Sequence, residues 1–324
     1  MNLNAAGHSL RRHRISMISV LRGLLLCALA SVAGAQQRVD SAFHARVIAP
    51  TYARGAGPLV LVDEAHNNAK TVTGQYRPLA DLLLADGYRL EALERPFTHA
   101  ALDRGKILVI INALASVNVD HWILPTPSAF DSTEERAIAE WVAAGGALLL
   151  AADHMPFPGA AEDLARRFGV AFTNGFAVDT LTWDPIVFRR SDGSLAGHPI
   201  TDGRGAADRV DSIATFDGQG FRTSDPSVRG VMTLGRGVIS YYPDTAWRFP
   251  QPWVPTRPME GWFQGAALTF GKGRVLVLGE AGMLSAQVSG PRRTQMGMNA
   301  PVARQNQQFV LNAFRWLAGP FIPD

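Results

Sequence analysis

The chain has 324 residues, which is enough for one large α/β domain. Hydrophobic residues make up 47% and charged residues 18%, and this composition excludes extended disorder and coiled-coil rods. The formal charge of +3 comes from the first 35 residues, which hold four arginines and no acid. The rest of the chain has 27 basic and 28 acidic side chains. It therefore has no global field to attract nucleic acid or anionic lipid.

The first 35 residues have the order of a secretory signal peptide. Arginines come first, an apolar run covers 23–32, and a small-residue Ala-Gly-Ala segment ends at Ala35, after which we expect cleavage. The apolar run is shorter than the roughly 20 residues that span a bilayer. Met17 would begin a more compact signal, and two adjacent arginines leave the twin-arginine route open beside the general one. We expect a periplasmic or secreted protein with no stable membrane insertion after signal removal.

Cys27, the single cysteine, lies inside this signal. Leu26 precedes it where lipoprotein processing needs a small residue, so we expect no lipid anchor. The chain after residue 35 has no cysteine, which excludes disulfides, cysteine-ligated zinc and thiol nucleophiles there. We therefore expect a hydrophobic core to stabilise the exported chain.

Apolar strand patterns and amphipathic helix patterns alternate from residue 58 onward, after a polar lead-in segment at 36–57. The predicted buried strands are Leu59–Val62, Ile107–Ile111 and Ala147–Ala151. The predicted helices begin at Pro78, at the capping-box pattern Ser132–Glu135 and before Leu164, and they end at Gly87, Gly145 and Gly169. This alternation predicts a flavodoxin-like α/β fold with a doubly wound parallel sheet.

Residues 176–262 differ from this pattern because proline, glycine and tryptophan become frequent and helical periodicity disappears. We interpret them as an irregular, β-rich insertion at one edge of the sheet. A hairpin over 266–278 then returns to the sheet, and a helix over 306–317 closes the chain. The predicted organisation is thus a signal peptide (1–35), a lead-in (36–57), an α/β domain (58–319) and a tail (320–324).

Polar side chains follow four predicted strands at the points where these strands end. They are Asp63, Glu64, His66, Asn67 and Asn68 after the first strand, Asn112 after the second, Asp153 and His154 after the third, and Glu280 after the hairpin. Ligands bind at the carboxyl ends of the strands in open parallel sheets, so we predict one pocket there. The amide-rich segment that follows adds Gln287 and Asn299, which suit neutral polar groups.

These residues are candidates for two roles, acid–base catalysis and ligand binding. The candidates for acid–base catalysis are His66, Asp153, His154 and Glu280. The candidates for ligand binding are Asp63, Glu64, Asn67, Asn68, Gln287 and Asn299. Histidine with carboxylate would also suit a divalent metal such as zinc or manganese, and the identity of any metal or cofactor stays open. Each role has a structural alternative, such as a helix cap for the aspartates or a loop hydrogen bond for His66.

Five segments carry a family resemblance. They are DEAHNN (63–68), ADHMPFPGA (152–160), GHPIT (197–201), GKGRVLVLGEAGML (271–284) and MGMN (296–299). Together they resemble the class I glutamine amidotransferase-like superfamily, and most closely an exported bacterial family related to ThuA-type sugar-utilisation proteins and to gliding-motility and intraflagellar-transport domains. The resemblance implies the flavodoxin-like fold. Amidotransferases of this fold use a Cys-His-Glu triad, whereas Asp153-His154 occupies the expected nucleophile position here, so glutaminase chemistry is not expected.

Three classes of function remain open. An enzyme, such as a hydrolase or isomerase of a small sugar-like compound, would use the strand-end acids and histidines for proton transfer. A non-catalytic binding module would hold a polar ligand or a cell-envelope glycan in the same pocket. An interaction domain would present tryptophans of the insertion to a protein partner, whose identity stays open. These tryptophans are Trp183, Trp247, Trp253 and Trp262.

Overall fold

The computed structural model describes residues 37–250 and 252–319, so the predicted signal peptide and tail lie outside the described residues. The strands are β1 (Arg38–Val39), β2 (Leu59–Asp63), β3 (Arg89–Leu93), β4 (Ile107–Ile111), β5 (Ala147–Ala151), β6 (Val170–Phe172), β7 (Phe176–Asp179), β8 (Ile186–Arg189), β9 (Ser212–Thr215), β10 (Phe221–Thr223), β11 (Arg229–Thr233), β12 (Val238–Tyr241), β13 (Thr256–Pro258), β14 (Phe263–Phe270), β15 (Gly273–Leu278), β16 (Ala286–Ser289) and β17 (Thr294–Gly297). The helices are α1 (Arg77–Ala85), α2 (His99–Leu102), α3 (Ser132–Ala144), α4 (Phe157–Arg167), α5 (Pro199–Asp202) and α6 (Asn306–Ala318). Short 3₁₀ turns cover Ser116–Asn118, Arg190–Asp192, Ala206–Asp208 and Gly282–Leu284.

A nine-stranded sheet forms the centre of the molecule. Its order is β3-β2-β4-β5-β15-β14-β10-β6, and β11 also pairs with β14. The five strands from β3 to β15 are parallel, and β14 returns antiparallel to β15 as the predicted hairpin. Numbered along the chain, the parallel strands have the order 2-1-3-4-5, which is the flavodoxin-like arrangement. The predicted fold class is therefore confirmed.

Helices cover both faces of this sheet because its central strands are apolar on both sides. Successive residues of a strand point to opposite faces, so Val60 and Val62 pack in one core with α1 and α6, while Leu61 packs in a second core with α3 and α4. The five residues of β4 are all at most 2% exposed. Each such Leu, Ile or Val contributes about 1.5–3 kcal/mol through burial.

Helix α3 begins one residue earlier than the sequence pattern suggests. Asp131 is the N-cap, and its carboxylate accepts hydrogen bonds from the backbone N–H groups of Thr133 and Glu134. The Glu134 carboxylate accepts the N–H of Asp131 in return, which completes the capping box. Because Glu134 rather than Glu135 holds this position, its other carboxylate oxygen accepts the N–H of Phe97 (2.9 Å) and lies 3.0 Å from Nε2 of His66, just after β2.

The region 176–262 is β-rich and irregular, as predicted. Strand β12 pairs with β7 and β13 in a small antiparallel sheet, and β8 pairs with β9. Strands β10 and β11 pair with β14, so part of the insertion extends the central sheet. Before the α/β domain, β1 pairs with β16, which in turn pairs with β17.

No helix within 37–250 and 252–319 combines the length and apolar character needed to cross a bilayer.

Candidate functional site

A cavity of about 590 Å³ opens at the carboxyl ends of β4, β5 and β15. The loop after β4 contributes Asn112, the loop after β5 contributes Asp153 and His154, and the loop after β15 contributes Gly282. The connection between β4 and α3 adds Trp122, and the start of α4 adds Phe157. The remaining lining residues come from the segment after β2 or from elements added around the parallel sheet: Gln37, Ala69, Lys70, Gln75, Tyr76, Phe216, Asp217, Trp247, Gln287, Ser289 and Met296. The cavity therefore combines acidic, basic, amide and aromatic side chains.

Asp153 lines this cavity and is held by hydrogen bonds to the loop after β4 and within its own loop. Its backbone N–H donates to the side-chain oxygen of Asn112 (3.0 Å), and its carboxylate accepts the N–H of His154 (2.9 Å). Asn112 has a left-handed backbone (φ 51°), which an asparagine tolerates better than most residues. The side chain of Asn112 thus connects the loop after β4 to the loop after β5.

Glu280 lies behind the cavity and is fully buried. Its two carboxylate oxygens accept the N–H groups of Gly282 (2.6 Å) and Met283 (2.8 Å). Burial raises the pKa of Glu280 well above its ordinary value, and the negative charges of Asp153 and Asp217 raise it further, although the two N–H groups oppose the change. The deepest carboxyl group of the site therefore favours its neutral form.

Asp217 faces water at the cavity wall, in the loop between β9 and β10. Its backbone is left-handed (φ 77°). The surrounding protein removes part of its hydration and so raises the pKa of Asp217, the negative charge of Asp153 raises it further, and His154 opposes the change. The site thus holds a carboxyl group at its mouth that retains a proton more readily than an ordinary aspartate.

Lys70 and Tyr76 face these carboxyl groups from the segment between β2 and α1. The ammonium of Lys70 donates to the side-chain oxygens of Gln37 (2.9 Å) and Gln287 (3.5 Å). Burial lowers the pKa of Lys70, whereas the charges of Asp153 and Glu280 oppose this. Tyr76 is 2% exposed and lines the cavity. Burial raises the pKa of Tyr76, so its hydroxyl is a neutral donor.

His154 lies in an aromatic wall of the cavity. Its Nδ1 donates to the carbonyl of Met155 (2.7 Å), so in the neutral ring Nε2 is left as an acceptor. The ring stacks on Phe176 at 4.6 Å, and Trp247 contacts it edge-on at 4.6 Å. Trp122 packs at 5.9 Å from the same ring. These contacts fix the orientation of the imidazole.

Three of the predicted site residues form a separate cluster that does not line the cavity. His66 Nδ1 lies 2.8 Å from the Asp63 carboxylate, and Nε2 lies 3.0 Å from the Glu134 carboxylate. The side-chain NH₂ of Asn68 donates to Asp63 (3.0 Å). The His66 ring also packs against Phe97 and Phe130, with ring centroids at 4.5 and 4.9 Å. Both ring nitrogens of His66 are therefore occupied by protein groups.

The remaining predicted site residues support loops or line the wall. Glu64 accepts the N–H of Val72 (2.8 Å), and Asn67 donates to the carbonyl of Leu114 (3.0 Å). Asn299 donates to the Asp40 carboxylate and to the carbonyl of Gln287, both at 2.9 Å. Of the ten predicted residues, the structure thus places Asp153, His154 and Gln287 on the cavity wall and Glu280 directly behind it.

The sequence did not single out Lys70, Tyr76 or Asp217 as site residues. Lys70 and Tyr76 follow the DEAHNN segment within eight residues, and this closeness is the one signal that could have found them. Asp217 lies in the insertion, where no strand-end pattern points to it. Trp247 appeared among the candidates for a partner surface, whereas the structure places it at the cavity.

The described ranges contain no group of three or more His, Cys, Asp or Glu side chains arranged to hold a metal ion. The strand-end acids and histidines are instead divided between the cavity and the His66 cluster. The alternative in which they share a divalent metal therefore has no ready ligand set in this part of the chain.

The fold and cavity define a flavodoxin-like α/β protein with a polar strand-end site. No family model matches the sequence, and neither does any curated protein. Among solved structures, the mmIFT52 N-terminal domain is similar with a TM-score of 0.58 and 14% identity, over 81% of this chain and 99% of that domain. A ThuA-like protein from Bacteroides uniformis matches with a TM-score of 0.41 and 14% identity, over 84% of this chain and 93% of that one. Cytoplasmic protein STM3548 from Salmonella typhimurium matches with a TM-score of 0.43 and 11% identity, over 81% and 100%. At such identity, the similarity to the mmIFT52 domain shows a shared fold and does not extend to activity.

Proposed function

We propose that the protein is an exported, amidotransferase-like domain that binds a small, neutral, sugar-like ligand in the Asp153 cavity and hydrolyses it by acid–base catalysis. The observation that carries this proposal is that Asp153 and Asp217 share one cavity, in which loss of hydration and the negative charge of Asp153 raise the pKa of Asp217. Two carboxyl groups in different environments are the usual basis for an acid and a base in one site.

The walls of the cavity suit a hydroxyl-rich ligand. Trp122 and Trp247 offer aromatic faces on which the C–H surface of a sugar ring can pack. Asn112, Tyr76 and the carboxylates supply donors and acceptors for hydroxyl groups. Lys70 partly balances the negative charge, so the cavity does not demand a charged ligand.

The roles follow from position and protonation. Asp217 at the cavity mouth donates a proton to the oxygen of the leaving group, and Asp153 accepts a proton from the attacking water. Nε2 of His154 accepts a hydrogen bond from the ligand. Lys70 and Tyr76 hold the ligand by donating hydrogen bonds, and Glu280 is a positioning residue because it orders the Gly282–Leu284 turn. His66 is likewise a positioning residue, which ties the end of β2 to the start of α3.

A non-catalytic binding module is the second candidate. Asp153 and His154 hydrogen bond to neighbouring backbone groups rather than to each other, and such fixed side chains suit recognition as well as catalysis. The two candidates differ in whether the bound ligand is chemically changed.

The test uses purified protein with a panel of free sugars and nitrophenyl glycosides, with binding followed by calorimetry and products by mass spectrometry. We expect D153N and D217N to lower turnover by about 10²–10⁴-fold while ligand affinity changes little. D103N is the matched control, because Asp103 is an exposed acid outside the cavity. A ligand that binds and is recovered unchanged would favour the binding module. Failure of the whole panel to bind would contradict both candidates.

Export rests on the signal pattern at residues 1–35 and is tested separately. We expect the mature protein in the periplasmic or extracellular fraction, with Gln36 as its first residue by N-terminal mass spectrometry. Recovery of the intact chain from the cytoplasm would contradict export and leave the ligand proposal untouched.

A further inference from the structure

A second cavity of about 380 Å³ adjoins the first. The two cavities share Phe216, Asp217 and Met296 as lining residues, so they meet at the position that we assign to the general acid. The far side of the second cavity is formed by the loop after β7 and by the segment around Val302. The two cavities therefore form one elongated cleft, with Asp217 near its middle.

An exposed tryptophan lines each half of this cleft. Trp247 in the first cavity is 51% exposed, and Trp183 in the second is 68% exposed. Both have left-handed backbones, with φ of 64° and 58°. The Trp183 N–H donates to the carbonyl of Asp179 (2.9 Å), which holds the loop in this conformation. Large aromatic side chains rarely adopt it, and here it presents a ring to the cleft in both cases.

The charge of the second cavity limits what it can bind. Its lining includes Asp179, Asp184 and Asp217, and no lining residue is basic. Both carboxylate oxygens of Asp179 are used within its own loop, by the N–H of Leu181 and the hydroxyl of Thr182. An anionic polymer would be repelled, whereas the hydroxyl groups of a neutral sugar can donate to the free acidic oxygens.

We propose that the two cavities together bind a linear, uncharged oligosaccharide, with one sugar unit packed against Trp247 and another against Trp183. This inference rests on the proposed function, because it makes the sugar-like ligand of the Asp153 cavity one unit of a longer glycan. Asp217 lies where the two cavities meet. The glycosidic bond between the two bound sugar units therefore lies beside the carboxyl group that donates the proton. The substrate class is then a glycan chain rather than a single sugar.

Three series of neutral glycans, with chains of one to six sugar units, test this proposal. The affinity of each member is measured by calorimetry at low and at high salt. The series are malto-, cello- and N-acetylated chito-oligosaccharides. We expect the longest member of the binding series to have an affinity about tenfold or more above its monosaccharide, since it gains a second aromatic contact. W183A should remove about tenfold of the affinity for the longest member. W253A is the matched control, because Trp253 is 80% exposed and lines neither cavity.

The possible outcomes separate this inference from the proposed function. If the wild-type protein binds monosaccharide and hexasaccharide equally, or if W183A and W253A behave alike with unchanged melting temperatures, the extended cleft is wrong and the single-sugar site stands. If no member of any series binds, the proposed function fails and this inference fails with it. Affinity for these uncharged glycans should not change at high salt, and a collapse there would contradict binding through uncharged contacts and overturn the proposal.

Discussion

Replacing His66 with alanine should destabilise the fold without touching the cavity. The substitution removes hydrogen bonds of 2.8 and 3.0 Å to the carboxylates of Asp63 and Glu134, and hydrogen bonds to charged groups contribute about 1.5–3 kcal/mol each. It also removes ring contacts with Phe97 and Phe130. Both carboxylates keep other donors, which limits the loss. We therefore expect the free energy of unfolding to fall by about 3–5 kcal/mol.

The loss should depend on pH with a definite sign. Burial acts to lower the pKa of His66, but its hydrogen bonds to Asp63 and Glu134 and their negative charges raise it by more. A histidine whose pKa is raised on folding stabilises the protein fully below its unfolded pKa of about 6.5, and this contribution disappears as the pH rises through the folded pKa. The difference between wild type and H66A should thus be larger near pH ~5.5 than near pH ~8.

Urea unfolding of H66A and wild type at both pH values, followed by circular dichroism, measures this difference. H99A is the matched control, because the pair of His99 with Glu140 is exposed and its loss should not be measurable. The reasoning would be refuted if H66A were as stable as wild type, or if its destabilisation did not change with pH. A folded H66A that has lost turnover selectively would support the catalytic role that the sequence predicted for His66.

Three further predictions concern the cavity and the core. D153N should flatten the pH dependence of the melting temperature. In the wild type, the raised pKa of Glu280 makes stability fall as the pH rises above about 4.3. Removing the charge of Asp153 lowers the pKa of Glu280 and so weakens this fall. K70Q should weaken ligand binding about tenfold in calorimetry, because a charge-assisted donor is lost, whereas K272Q in the β14–β15 turn should bind normally. R315M should lower the free energy of unfolding by about 3–5 kcal/mol in urea titrations, because the carboxylates of Asp86 and Asp208 lose their buried guanidinium partner. A loss below about 1 kcal/mol would contradict this prediction.

The parallel core could be predicted because its strands are apolar on both faces. Runs such as ILVII and ALLLA have one reasonable location in a protein of this size, between two layers of helices. Strand β3 (RLEAL) could not be predicted in the same way, because it lies at the sheet edge, is mostly half-buried and contains charged residues. The pairing of β10 and β11 with β14 depends on contacts across 30 or more residues, which local patterns do not contain.

The site could be predicted only where it follows a parallel strand. Asp153 and His154 come directly after β5, so the fold itself places them at the cavity. For His66 the sequence indicated its neighbour Asp63 but not Glu134, whose position depends on where α3 begins. Asp217 lies in a loop of the insertion, and only tertiary structure brings it opposite Asp153. Burial of the Lys70 stem likewise depends on β1 and β16, which are distant in sequence.

The three acidic groups in and behind the cavity differ in burial, and this difference limits the repulsion between them. Glu280 is deepest and favours its neutral form, which removes one negative charge that would otherwise repel Asp153. The negative charge of Asp153 opposes the effect of burial on the pKa of Lys70, which helps to keep that ammonium charged. Asp217 is the most exposed of the three and faces the water at the wall of the cavity. A ligand that displaces this water raises the pKa of Asp217 further, so binding itself moves the outermost carboxyl group towards the protonated form that a general acid requires.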